Sequence, residues 1–135
     1  MKVFETKVIE ALKSIDINCS KYFGEFSNPQ KVNIDLNNTP IVFIDYVGSK
    51  PNGRIKEKHE FYLYIAHLSF SQNKINRANK QYELYDLLDA IKKALNLKTF
   101  NNSEPITWGS KSKIFDAATD KGYLTVFNQS ISAEI

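Results

Sequence analysis

The residues Ile41-Val42-Phe43-Ile44-Asp45-Tyr46-Val47 and His59-Glu60-Phe61-Tyr62-Leu63-Tyr64-Ile65-Ala66-His67-Leu68-Ser69-Phe70 decide how this chain folds. Both runs are rich in β-branched and aromatic side chains, which fit a pleated sheet surface better than a helix. Between them, Gly48 to Lys58 is polar and contains Pro51-Asn52-Gly53, a turn signal. The two runs read as a long hairpin whose first strand, apolar on both faces, is a central strand. On the second strand Phe61, Leu63 and Ile65 point one way, and Tyr62, Tyr64, Ala66, Leu68 and Phe70 the other. Neither face suits water. A small domain covers the second with its N-terminal segment or its last strands, or leaves it to a subunit partner.

Upstream, Phe4, Val8, Ala11, Leu12 and Ile15 recur at helical spacing with Lys7, Glu10, Lys13 and Ser14 opposite, so Val3 to Ile15 is expected as an amphipathic helix. Asp16 to Gln30 mixes turn formers with Tyr22, Phe23 and Phe26 and reads as an irregular connection. A short strand is expected at Val32 to Leu36, before the turn cluster Asn37-Asn38-Thr39-Pro40. Downstream, Asn76 to Asn96 carries Leu84, Leu87, Leu88, Ile91, Ala94 and Leu95 in one stripe, with Tyr82 and Tyr85 beside it. Asp89 and Lys93 have the spacing of a favourable helical pair. Ile106 to Trp108, Lys111 to Ala118 and Gly122 to Ala133 read as closing strands, the last two joined by the turn Thr119-Asp120-Lys121-Gly122. The element order implies an α+β fold, a mainly antiparallel sheet of four to five strands with two helices packed on it.

At 135 residues the chain is expected to be a single domain, residues 1–135, with enough surface to bury one core. With 42% hydrophobic and 24% charged residues it falls outside the collagenous, disordered and low-complexity classes. A lone cysteine, Cys19, excludes an internal disulfide and a cysteine-based zinc site. Met1 to Ile15 lacks the apolar core of a secretory signal, and the longest apolar stretches are far shorter than the roughly 20 residues that span a bilayer. No membrane partner is expected.

Reactive constellations are hard to assemble from these residues. His59 and His67 share a strand face but stand roughly 26 Å apart along it, too far to share a metal. Asp45, His59 and Glu60 would make a hydrolytic or metal site only if adjacent strand residues pointed the same way, which they do not. Asp86 and Asp89 lie one helical turn apart, with Lys92 and Lys93 beside them, as on a solvated ion-paired face. Cys19 has no local activator beyond Lys21. There is no nucleophile motif and no glycine-rich phosphate loop. The chain is expected to be non-enzymatic, with no cofactor and no metal.

Charge offers one candidate contact. The 18 basic and 15 acidic residues leave +3, too little to imply nucleic-acid binding by itself. Lys50, Arg54, Lys56 and Lys58 nevertheless concentrate on the expected hairpin loop, where they suit phosphate or an acidic protein surface. A nucleic-acid-binding accessory protein that uses the basic hairpin 48–58 and exposed tyrosines is therefore the alternative function.

Taken together, the helix Val3 to Ile15, Pro40 followed by Ile41-Val42-Phe43-Ile44, the run Phe61 to Phe70, the helix containing Gln81-Tyr82-Glu83-Leu84-Tyr85-Asp86-Leu87-Leu88 and the strand Tyr123 to Ala133 form a pattern. It resembles the small tail proteins of Mu-like phages and prophages, a family similar to the tail terminators of phages such as lambda. The resemblance spans nearly the whole chain, apart from Gly48 to Lys58 and Asn101 to Ser110. It implies a tail-terminator-like fold and a tail terminator or tail-completion role: a homo-oligomeric ring, commonly hexameric, that caps the tail tube and joins it to the head. Such a protein works in the bacterial cytoplasm during assembly and in the virion tail. Its implied partners are copies of itself, tail tube and head-completion proteins, and DNA passing through the lumen. On this view Tyr62, Tyr64, Phe70, Tyr82 and Tyr85 are candidate subunit contacts. Lys50, Arg54, Lys56 and Lys58 would then meet a neighbouring tail or head protein.

Overall fold

A computed structural model describes residues 2–25, 40–53, 56–69, 74–100, 103–120 and 122–135. Helix α1 (Lys2–Lys13) is followed by strands β1 (Asn18–Lys21), β2 (Ile41–Asn52) and β3 (Lys56–Ser69). Helix α2 (Lys74–Leu95) then leads to β4 (Thr107–Ala118) and β5 (Tyr123–Glu134). The strands form one sheet in the order β1-β2-β3-β5-β4, with β1 parallel to β2 and every other pair antiparallel. This is the expected α+β fold, and both helices lie on the same face of the sheet.

Side-chain alternation explains that placement. Phe61, Leu63 and Ile65 of β3 share a buried cluster with Phe4, Val8 and Leu12 of α1 and Leu84, Leu88, Ile91 and Leu95 of α2. Phe4 stacks on Phe61 with ring centroids 4.9 Å apart. Burial of each such side chain stabilises the fold by about 1.5–3 kcal/mol. On the reverse face Phe43, Ala66, Leu68, Leu124 and Val126 form a second buried cluster, with Tyr22, Tyr64 and Phe115 packed against it. Tyr22 and Tyr64 are 4.6 Å apart. Much of the aromatic content is thus used within the chain.

Several elements depart from their sequence expectations. The segment after α1 is not wholly irregular: Asp16 takes a left-handed φ of 62° to end the helix, and Asn18–Lys21 then pairs with Ile41–Ile44. Its four residues include none of the long β-branched runs that mark a strand, so only tertiary pairing reveals it. The expected strand Val32 to Leu36 lies outside the described residues. β2 stands second from an edge and β3 is the middle strand.

The polar segment expected as a loop from Gly48 to Lys58 is mostly ladder. Pairing runs from Gly48↔Glu60 to Asn52↔Lys56 after a bulge between Tyr46 and Gly48, and Gly53 turns the chain with φ 78°. A polar strand beyond the core looks like a loop in sequence, because nothing apolar alternates. The two expected strands from Ile106 to Ala118 are one strand, irregular between Trp108 and Lys111 and again between Lys113 and Phe115. Gly109 packs tightly on β5, since a Cβ there would require the Ser130 hydroxyl to turn away.

Candidate functional site

The aromatic residues singled out for subunit contact separate onto two surfaces. Tyr62 and Tyr64 alternate with the core residues of β3, so they stand on the face away from the helices. Both are half-buried, and their rings meet edge-on at 6.1 Å. Tyr82 and Tyr85 stand on α2 across the sheet, 61% and 42% exposed, with rings 6.0 Å apart. Ile75, two helical turns before Tyr82, is 71% exposed and extends the same stripe. Tyr85 also touches Phe127 of β5, which roots the stripe on the sheet. Phe70 lies outside the described residues.

The basic hairpin changes character in three dimensions. Lys50 pairs with Glu60 at 3.6 Å and Lys56 with Glu104, while Asn52 donates to Glu134. The carboxylates of Glu104 and Glu134 come from the far end of the sequence, and together they offset the hairpin's positive excess. Lys58 lies directly opposite Lys50 in the ladder. Arg54 lies outside the described residues. Lys50, Lys56 and Lys58 therefore belong to strands in a mixed-charge surface, not to a projecting cationic loop. Beside them, two adjoining grooves of about 320 and 290 Å³ share Lys58, Thr107 and Ser132 and are lined largely by polar residues.

The histidines and Asp45 stay apart. His59 projects to the helix side opposite Ser49, whereas Glu60 and Asp45 occupy the other face. Its buried ring lies 2.9 Å by Nδ1 from Tyr46 Oη and 3.7 Å by Nε2 from Glu57, a Tyr-His-Glu chain that ties the hairpin together. Among the described residues no group of three or more His, Cys, Asp or Glu side chains could hold a metal ion. Burial pushes the Cys19 thiol up to about 12, against a smaller opposing effect of Lys13, so it stays protonated near neutral pH.

Sequence reasoning missed a polar seam beneath the first half of α2. There His67 and Ser69 of β3 and Tyr123 and Thr125 of β5 meet Lys80, Gln81 and Leu84 of α2 around a cavity of about 10 Å³, room for one water molecule. Asp116 of β4 braces it: its carboxylate accepts hydrogen bonds from Gln81 Nε2 at 3.2 Å, Thr125 Oγ1 at 2.9 Å and Lys113 Nζ at 3.0 Å. Burial opposes the charge of Asp116, but the bonds from Lys113 and Thr125 outweigh it and hold the carboxyl below its ordinary 3.8. The available signal was the run of polar residues, His67, Ser69, Thr125 and Gln81, at positions whose periodicity points inward.

β4 forms one edge of the sheet, with Ser110 to Ile114 exposed. Lys111, Lys113 and the two irregularities blunt it as a template for indiscriminate strand pairing. Among the described residues no helix is long and apolar enough to cross a membrane. The sequence matches no family model and none of the curated proteins compared with it.

Proposed function

We propose that this chain is a phage or prophage tail terminator, or a closely related tail-completion protein, that acts without catalysis by closing into a ring on the end of a tail tube. The observation that carries this reading is the placement of the tyrosines on two unlike surfaces. Tyr62 stands half-buried on the sheet face away from the helices, and Tyr82 and Tyr85 on the outward side of α2. A head-to-tail ring needs two different patches that meet each other, whereas a two-fold dimer needs one patch that meets itself. Support also comes from the overall sequence pattern and from the α+β fold, two helices on one face of a mainly antiparallel sheet. The working site is the bacterial cytoplasm during assembly and then the tail.

The alternative, a nucleic-acid-binding accessory protein using the basic hairpin 48–58, would have Lys50 and Lys56 exchange their exposed pairings with Glu60 and Glu104 for phosphate. Capping is the activity to test. Added to a polymerising tail-tube protein, the chain is expected to shorten the tubes and to remain bound at one end. Unchanged tube lengths, with no density at either end in electron micrographs, would overturn the proposal.

A further inference from the structure

Helix α2 is seated in two different ways along its length. From Leu84 on, its second half presses Leu84, Leu88, Ile91 and Leu95 into the apolar cluster. Before Leu84, its first half lies over the polar seam, where Lys80 and Gln81 face His67, Ser69, Tyr123 and Thr125. We propose that this seam is an acid-labile latch: protonation of His67 frees the first half of α2 from the sheet while the second half stays seated.

The charges around His67 set the direction. From α2 come the Lys80 ammonium and the Glu83 carboxylate, and Lys80 already holds Glu83 at 3.3 Å. From β5 come the Tyr123 hydroxyl and Thr125, and from β4 comes Asp116, which is occupied by Lys113, Thr125 and Gln81. Of these groups Glu83 favours an imidazolium, but less than burial and Lys80 oppose it. Burial first and Lys80 second hold His67 below its ordinary 6.5, so the closed seam favours the neutral ring. An opened seam returns the ring to water, where it takes up a proton more readily. Falling pH therefore favours opening, and rising pH restores the closed seam. The same half of α2 carries Ile75 and Tyr82, but the latch does not depend on what those residues meet.

Amide hydrogen exchange on the full chain, corrected for the intrinsic effect of pH, reads the two halves separately. Between about pH 7.5 and about pH 5.5, residues 74–83 are expected to lose protection about threefold or more, while residues 84–95 keep theirs. His67→Gln is expected to abolish that difference, and His59→Gln to leave it intact. Equal loss in both halves, no loss in either, or the same loss in His67→Gln would overturn the latch. Should His67→Gln fail to fold, Lys80→Gln serves instead. Removing the neighbouring ammonium is expected to move the opening to lower pH, and an unmoved midpoint would count against the proposal.

Discussion

Helix α2 is continuous yet rests on two different surfaces, the apolar core from Leu84 on and a polar seam before it. Leu88, Ile91 and Leu95 are buried among the side chains of α1 and the middle strands, so removing one leaves a cavity in the core. Over the seam, Gln81 depends on a directional contact with the half-buried Asp116, and Lys80 lines the cavity while pairing with Glu83 of its own helix. An apolar seat is strong and insensitive to pH. A polar seat is weaker, specific and open to titration, because each hydrogen bond only replaces one made to water. The turns over the seam also display Ile75 and Tyr82, while Tyr85 stands against Phe127 of β5.

The largest effect expected from this contrast is in the apolar half. Ile91→Ala should cost about 2–5 kcal/mol in denaturant unfolding, and a loss below about 1 kcal/mol would mean that this half is not seated as described. Asp116→Ala should come next, at about 1–3 kcal/mol, because Gln81, Thr125 and Lys113 all lose their acceptor. Combined with Gln81→Ala, its effect should be less than additive, and strict additivity would remove the bond between them from the account. The depressed Asp116 carboxyl adds a pH signature. Its contribution is present above 3.8 and disappears as pH falls through its folded value, so the difference between wild type and Asp116→Asn should shrink in strong acid. Smallest is the effect on folding of Tyr82→Ser, within about 0.5 kcal/mol of wild type, since that ring is largely exposed; adding Tyr85→Ser should cost about 1 kcal/mol more, because Tyr85 packs edge-on against Phe127. If these rings are subunit contacts, the double variant should weaken assembly in sedimentation experiments while the chain remains folded.

The fold was largely legible where apolar periodicity was strong. The stripe from Leu84 to Leu95 and the alternation from Phe61 to Leu68 reported helix and strand because those side chains face a core. Legibility failed where pairing, rather than burial, makes the structure. Asn18–Lys21 is a strand only because β2 offers it a ladder, and Gly48–Asn52 stays extended only because β3 lies opposite. The candidate surfaces show the same limit. Clustered lysines in the sequence suggested a cationic tip, but Glu104 and Glu134 reach it from across the chain, and no local window contains both sets. The seam around Asp116 joins three strands and a helix, so no single stretch of sequence announces it.

Native mass measurement of the purified chain over a wide concentration range tests the central claim most directly, because head-to-tail contact between unlike surfaces closes only as a ring. The expected result is one dominant species of three or more copies with a fixed number of subunits, lost in the Tyr82→Ser, Tyr85→Ser variant. A monomer at every concentration, or a two-fold dimer with nothing larger, would contradict it.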